Sequence, residues 1–352
     1  MKKLIKVLII IVLFFAVIVS GSLIWYFSSL KGTGNDKKIE FVVDKNATFS
    51  NLGKSLEKQG LIKSELSYKI YIKLSKPSNL KSGTYELDGN MGVKELVETL
   101  EKGSSYNPNI ITITFKEGLN IRGIATIISE NTDNSYDSVL NVIKDENYLN
   151  EIINNYWFIT EDVKNKKLYY SLEGYLFPDT YQIDKTWETK KIFKMMLDKM
   201  EKELSGYKKQ IENSKYSVHQ ILTLASVIEK EGKTKDFKDI SSVFHNRLNI
   251  GMHLESCATT YYGMGLDFNE VGIATNEMTS NNNPYNTYKI NGLPIGPIAS
   301  PSSSAIEAAL IPNESNNYYF LSDNEGVSYF FGTYGEHQQK QRELINQGKW
   351  YR

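Results

Sequence analysis

Two glutamates separated by a single lysine end an apolar run in the stretch LASVIEKEGK, Leu224–Lys233. If this run is helical, each residue turns by about 100°; with Val218 at zero, Glu229 falls at about 20° and Glu231 at about 220°. The apolar face, within about 80° of zero, is formed by Ile221, Leu222, Ala225 and Ile228. The pattern predicts that Glu229 faces the interior and that Glu231 is solvated.

An inward glutamate indicates either an acid used in chemistry or one half of a structural ion pair. A carboxyl group in a partly apolar cleft has its pKa raised from about 4.3 toward neutrality, because burial disfavours the charged form. That shift is what a general acid requires. An ion pair of Glu229 with Arg247 or a lysine is the alternative, and helix geometry alone leaves both interpretations open.

Other kinds of functional site have weaker support. The formal net charge is zero, which argues against a nucleic-acid partner. His245, His253, Cys257 and His337 could be assembled into a metal site, but their spacing matches no familiar ligand pattern. The sequence has no phosphate-binding glycine loop, and its single cysteine excludes an intramolecular disulfide. The inward carboxyl group is the better-supported chemical feature.

The N-terminal region predicts a membrane anchor. Val7–Leu30 has no charged residue, and its apolar part of about 20 residues is long enough to cross a bilayer as a helix. Lys2, Lys3 and Lys6 precede it, so the N-terminus is expected in the cytoplasm. A cleaved signal peptide is the alternative, although the apolar part is long for one. The predicted tail, transmembrane helix, tether and extracytoplasmic part are residues 1–6, 7–29, 30–38 and 39–352.

The following segments show one order of elements twice, which predicts a duplicated α+β module. Strand, helix, helix, strand and helix are expected near 41–43, 49–56, 65–74, 83–87 and 93–100. The second copy has strands near 111–115 and 179–183, a helix from Ile121 and another near 190–204. We predict an α+β fold with a small domain over 39–105 and a larger one over 106–352.

The larger domain is expected to hold two strong helices, at 217–232 and 236–250. The turn-rich run 281–301 follows them and is typical of a binding wall, because its tyrosines and aliphatic residues give it much to bury. Strands near 318–321 and 328–331 and a helix from about Glu336 complete the prediction.

Several blocks resemble one known family. They are LASVIEKEG, SSVFHNRLNIGMHLESCATTYYGMG, NPYNTYKINGLPIGPIASPSSSAIEAAL, LEGYLFPDTYQI and SGTYEL. Together they closely resemble the MltG (YceG-like) family of endolytic murein transglycosylases, whose members carry the last block in a LysM-like domain. The resemblance covers nearly the whole chain. One departure is Cys257-Ala258, where many relatives have Asp-Pro.

The resemblance implies a lyase anchored in the cytoplasmic membrane that cleaves peptidoglycan within its glycan strands. The bond is the β-1,4 link from N-acetylmuramic acid to N-acetylglucosamine, and the product ends in 1,6-anhydro-N-acetylmuramic acid. Glu229 corresponds to the family's essential glutamate, first acid of the E-K-E triplet. No metal or organic cofactor is implied, and partnership with peptidoglycan synthases is suggested.

Four further residues are candidates for substrate binding. Glu173 opens the EGYLFPDTY block, with a cap or turn contact as the alternative. Arg247, Asn286 and Tyr288 are candidates for the cleft wall. Two rival functions remain: a hydrolytic muramidase with Glu173 or Asp179 as second carboxylate, and a non-catalytic wall-binding protein.

Overall fold

The structure, a computed structural model, describes residues 2–104, 106–266 and 275–350. The chain divides into two compact units, residues 1–110 and 111–352. The predicted domain boundary at residue 105 lies outside the described residues, as do residue 1 of the predicted tail and residues 267–274, 351 and 352 of the predicted larger domain. The assignment of a LysM-like domain stays a prediction.

Unit 1 (residues 1–110) consists of a long N-terminal helix and a small α+β fold. Its elements are α1 (Lys2–Ser29), β1 (Ile39–Val43), α2 (Phe49–Lys58), α3 (Glu65–Ser75), β2 (Gly83–Leu87) and α4 (Val93–Lys102). The two strands pair antiparallel, with Ile39 opposite Leu87 and Val43 opposite Gly83. The apolar faces of α2 and α4 are buried with these strands in one core.

Helix α1 has the length and composition of a membrane span. Within Leu4–Ser29, the most apolar window of 18 residues has a mean hydropathy of 3.1, and none of that window is buried. The predicted span over 7–29 therefore lies inside one continuous helix, which also includes the preceding lysines.

Unit 2 (residues 111–352) begins within a strand and follows the order of elements seen in unit 1, with one further helix and a 3₁₀ turn before its second strand. Its first elements are β3 (Ile110–Thr114), α5 (Ile121–Asn131), α6 (Tyr136–Val142), α7 (Glu146–Asn155), a 3₁₀ turn (Glu161–Lys164), β4 (Thr180–Asp184), α8 (Thr189–Ser205) and α9 (Lys208–Glu212). Strand β3 pairs with β4. Equivalent positions of α2 and α5 are buried: Phe49, Leu52, Gly53 and Leu56, and Ile121, Ile124, Ala125 and Ile128.

The remainder of unit 2 is built around one buried helix. Its elements are α10 (Val218–Glu231), a 3₁₀ turn (Thr234–Asp236), α11 (Phe237–Asn249), α12 (Cys257–Gly263), α13 (Asn276–Ser280), α14 (Ser303–Leu310), β5 (Tyr319–Ser322), β6 (Ser328–Phe331) and α15 (Tyr334–Asn346). Helix α10 packs against α11, α12 and α14. Strands β5 and β6 form an antiparallel hairpin.

Candidate active site

Helix α10 positions both glutamates of the opening motif. It begins with a capping box, in which Ser217 and Gln220 satisfy each other's backbone N–H groups. Every residue from Ile221 to Ile228 is buried, so the middle of the helix runs through the core. Glu229 and Glu231 lie in its last turn, where the chain emerges toward the N-termini of α12 and α14.

Glu229 is half-buried and is held by the first residues of α14. Its Oε2 accepts hydrogen bonds from the Ser302 backbone N–H at 2.9 Å and from the Ser302 hydroxyl at 2.6 Å. The same hydroxyl caps α14 by accepting from the Ala305 N–H. Burial raises the pKa of Glu229; the bonds from Ser302 oppose this rise, and the nearby charge of Glu117 adds to it. Its predicted inward position is confirmed.

A cavity of about 550 Å³ adjoins this carboxyl group. Its lining residues are Gly118, Leu119, Asn120, Arg122, Gly123, Thr126, Ile127, Lys230, Ala258, Tyr261, Tyr262, Gly265, Leu266 and Ile298. Glu229 itself is not among these lining residues of the described chain, but it borders them. A Cβ atom added to Gly118 would lie 3.7 Å from Glu229 Cγ and 3.5 Å from Lys230 Nζ. Gly118 has a φ of +71°, which favours glycine, in the turn between β3 and α5.

Among the described residues, the cavity lining has two cationic side chains and no acidic one. The Arg122 guanidinium donates to the carbonyl oxygens of Gly265 at 2.6 Å and Leu266 at 3.5 Å, which links α5 to the segment after α12. Lys230 donates to the Gly118 carbonyl at 3.3 Å. These two cationic side chains give the cavity N–H donors for a polar ligand.

The prediction that Glu231 is solvated is wrong. Glu231 is only partly exposed and accepts hydrogen bonds from the Ser256 hydroxyl and the Ala258 backbone N–H, at the start of α12. Burial raises its pKa, and the Ser256 bond is the largest opposing cause. The helical wheel failed here because α12 and its preceding residues cover the side of α10 that a lone helix would leave in water.

Glu173 is fully buried and caps another helix. Its carboxylate accepts from the Ile121 backbone N–H, at 3.0 Å and 3.2 Å from the two oxygens, and from the Tyr262 hydroxyl at 2.9 Å. Burial raises its pKa to about 7, against the lowering effect of these bonds. The cap contact that was left open in the sequence is therefore observed. Glu173 reaches the cavity through Tyr262 and through the first turn of α5.

Arg247 is buried away from Glu229 and has other partners. Its guanidinium donates to the carbonyl oxygens of Tyr318, His253 and Leu254, and forms an ion pair with Glu255 at 3.3 Å. The interpretation of Arg247 as the ion-pair partner of Glu229 is wrong. These contacts join α11 to the chain before α12 and to the hairpin.

Asn286 and Tyr288 organise the turn-rich loop. Asn286 is buried. Its side-chain amide NH2 donates to the carbonyl oxygens of Thr279 and Asn281, and its Oδ1 accepts from the Thr260 hydroxyl and the Tyr288 N–H. The Tyr288 hydroxyl lies 3.2 Å from the Cys257 sulfur. Asp179, the other proposed second carboxylate, pairs with Lys199 at 2.6 Å. Neither Asn286, Tyr288 nor Asp179 is among the described residues that line the cavity beside Glu229.

The side chains considered for a metal site are dispersed. His245 bonds the Ala309 carbonyl, His253 the Tyr288 carbonyl, and His337 packs against Tyr334. Within 2–104, 106–266 and 275–350, no three His, Cys, Asp or Glu side chains are placed to hold a metal ion.

A larger cavity of about 770 Å³ lies at the opposite end of α10. His219 lines it, with Nδ1 2.8 Å from the Tyr175 hydroxyl and Nε2 3.0 Å from the Ile295 carbonyl. Its one acidic lining residue in the described chain, Asp162, lies in a 3₁₀ turn of the surface. A proton donor is better placed beside the smaller cavity, because Glu229 is there.

Sequence reasoning missed Ser302, Glu117, Gly118, Arg122 and Lys230. Ser302 precedes a predictable helix in SPSSSAIEAAL, so its capping role was accessible. Its contact with Glu229 joins residues 73 positions apart, and one sequence contains no signal for that.

Comparison with known proteins places the chain. The family model described as YceG-like family matches residues 41–343. An endolytic murein transglycosylase of Bacillus subtilis (strain 168) is 34% identical over 334 residues, which cover 94% of this chain and 91% of that protein. This chain belongs to the YceG-like family.

Two further relatives agree with this membership. A crystal structure of a YceG-like protein from Listeria monocytogenes has a TM-score of 0.62 and 33% identity, covering 86% of this chain and 99% of that chain. The endolytic murein transglycosylase of Streptococcus pneumoniae serotype 2 (strain D39) is 34% identical over 327 residues. That match covers 89% of this YceG-like chain but 59% of the pneumococcal protein.

Proposed function

We propose that this protein is a membrane-anchored peptidoglycan lytic transglycosylase with Glu229 as its acid and base. The observation that carries the proposal is a half-buried carboxyl group of raised pKa beside a polar cavity. The sequence resemblance implies that this carboxyl group is the family's essential glutamate. Relatives named endolytic murein transglycosylases support the substrate and the reaction class. We further propose that cleavage is internal to the strand and limits the length of nascent strands.

The contacts of Glu229 suit two successive proton transfers. Ser302 donates twice to Oε2, and since a protonated carboxyl group has one O–H, the proton is expected on Oε1. Oε1 donates to the oxygen of the bond between N-acetylmuramic acid and N-acetylglucosamine as that bond breaks. The muramic acid 6-hydroxyl then attacks C1, and the Glu229 carboxylate, stabilised by Ser302, removes its proton. One carboxyl group thus performs work that ordinary glycosidases divide between two.

The cavity is proposed to hold the glycan. Tyr261 and Tyr262 offer aromatic rings to a sugar, and Arg122 and Lys230 offer cationic donors. Glu173 is proposed as a positioning residue, because it holds Tyr262 and the first turn of α5. Arg247, Asn286 and Tyr288 are proposed to maintain the neighbouring fold, since their bonds serve the loop and α11.

Helix α1 is proposed to anchor the protein in the cytoplasmic membrane, with residues 1–6 in the cytoplasm and the remainder outside. Its apolar length and the lysines that precede it support this orientation. The family resemblance also suggests that the protein works beside peptidoglycan synthases. Chemical cross-linking at the outer face of the cytoplasmic membrane tests that partnership. Cross-linked products that contain no synthase would reject it.

Product masses test the reaction. Isolated peptidoglycan is digested with the full chain in detergent, with Glu229→Gln and, as matched control, with Glu130→Gln, whose carboxyl group is exposed on α5. The wild type and the control should yield internal cuts whose new muramic acid ends are lighter by one water than the corresponding hydrolysed ends. Hydrated ends would establish the muramidase alternative. Unchanged strands with intact substrate binding would establish the non-catalytic one.

A further inference from the structure

Unit 1 exposes an apolar stripe on one helix. Outside α1, its exposed large apolar side chains among the described residues are Val42, Leu66, Ile70, Leu74 and Ile110. Three of them lie on α3 at intervals of four residues, with exposed fractions of 60%, 37% and 71% for Leu66, Ile70 and Leu74. This spacing puts them on one helix face, here called the α3 stripe. The opposite face of α3 is buried in the core of the unit.

Contacts inside unit 1 place α3 at the C-terminal end of α1. Lys63, just before α3, donates from Nζ to the Ser28 carbonyl at 3.5 Å. Tyr71, in the middle of α3, is close enough to Tyr26 of α1 for the two to interact electrostatically. Aromatic residues at the end of a span lie at the level of the lipid headgroups. The α3 stripe adjoins Tyr71 on the helix surface, because Leu74 is three residues further on.

The charges on α3 and its flanking residues are those of an interfacial helix, while two acids of α4, Glu98 and Glu101, lie near Tyr71. Residues 63–76 contain four lysines, Lys63, Lys69, Lys73 and Lys76, and one acid, Glu65. All four lysines are exposed, and Glu65 is paired with Lys69 at 2.7 Å. An apolar face flanked by lysines binds at the boundary of headgroups and acyl chains, and anionic lipids strengthen that binding.

We propose that α3 lies in the outer membrane–water interface, with Leu66, Ile70 and Leu74 in contact with lipid and the lysines at anionic headgroups. The inference rests on the proposed anchoring by α1. Lipid is the occupant that the observations favour, because the stripe lies beside the end of the span and is bordered by cations. A second contact with the bilayer would stop the small α+β fold of unit 1 from turning freely about α1.

Fluorescence quenching by lipids tests the proposal in the full chain. Cys257→Ser removes the only thiol, and single cysteines at Ile70, Val42 or Phe14 carry a polarity-sensitive fluorophore. The protein is reconstituted into phosphatidylcholine vesicles with and without phosphatidylglycerol, containing lipids with a nitroxide on the acyl chain. Val42 is the matched control, being an exposed apolar residue of the same unit on β1, and Phe14 reports on α1.

The label at Ile70→Cys should be quenched severalfold more strongly than at Val42→Cys, and less strongly once phosphatidylglycerol or the four lysine charges are removed. Equal quenching at positions 70 and 42, with strong quenching at Phe14→Cys, overturns the inference and leaves the anchoring intact. An apolar emission spectrum at position 70 without quenching overturns it in favour of a protein partner or a second copy. Weak quenching at Phe14→Cys rejects the anchoring itself.

Discussion

The edge of the cavity and the packed region behind it both contain glutamates whose pKa is raised by burial, yet the two regions use them differently. Each of the three glutamates meets a helix N-terminus: Glu229 that of α14, Glu231 that of α12 and Glu173 that of α5. Such positions favour the carboxylate, whereas burial favours the acid. All three glutamates therefore experience the same two opposing effects on their pKa, a helix N-terminus and burial.

The difference lies in how each carboxyl group is bonded. Glu173 accepts from the Ile121 N–H with both oxygens and from the Tyr262 hydroxyl with one of them, so its hydrogen bonds stabilise the fold. Glu231 is held between Ser256 and Ala258. Among the described residues, the hydrogen bonds that hold Glu229 come from Ser302 and converge on Oε2, next to the cavity. A raised pKa thus identifies several candidates, and the geometry of the bonds separates the acid for chemistry from the acids that support it.

Replacing Glu229 and Glu231 in turn should give the largest difference between the two regions. Glu229→Gln should lower the rate of glycan cleavage by about 10³-fold or more, because a positioned general acid contributes on this order. Glu231→Gln should lower it by less than about 10-fold, since its bonds are made to the protein. Strand cleavage is followed by product mass, with circular dichroism to check folding. A reversed ranking would transfer the catalytic role to Glu231.

The raised pKa of Glu173 should make the stability of the protein depend on pH. Its folded pKa of about 7 lies above the ordinary 4.5, so the folded state holds its proton more tightly and stability falls as pH rises from about 4.5 to 7. The loss attributable to Glu173 amounts to about 3 kcal/mol. Glu173→Gln should flatten the slope of urea unfolding free energy against pH, followed by tryptophan fluorescence. Glu130→Gln is the control, and an equal slope in all three proteins would contradict the assignment.

Truncation of Glu231 should reduce stability. Glu231→Ala leaves the Ser256 hydroxyl and the Ala258 N–H without their acceptor, which costs about 1–3 kcal/mol when such donors are buried. Urea unfolding measures this, and Glu130→Ala serves as a control because the Glu130 side chain is exposed on α5. A change below that of the control would show that Glu231 supports little.

The smallest expected effect concerns the partner of Glu229. Ser302→Ala removes a hydroxyl that lowers the pKa of Glu229, so that pKa should rise. The acid form would persist to higher pH, and the alkaline limb of the cleavage rate should move to higher pH. Ser303→Ala, one residue further along α14, is the matched control. Coinciding pH–rate profiles for wild type and Ser302→Ala would show that Ser302 does not affect the pKa of Glu229.

Much of the local structure was predictable, because periodicity reports directly on burial. The strand 83–87 and the buried positions of α2 and α5 agree with the structure, as does the inward position of Glu229. Glu231 was mispredicted because a helical wheel cannot know which segment returns to cover its far side. The contacts of Glu173 with Ile121 and Tyr262 span 52 and 89 residues, and distances along the sequence give no indication of them.

Ser302 has a consequence for how the site responds to its own proton. Its single hydroxyl group donates to Glu229 while accepting from the Ala305 N–H that opens α14. The charge on Glu229 and the order of this first turn are therefore thermodynamically linked. A neutral Glu229 accepts a weaker hydrogen bond from the Ser302 hydroxyl, and the helix cap is weakened as a result. Amide exchange at Ala305 should accordingly follow the titration of Glu229, making the start of α14 a built-in reporter of protonation.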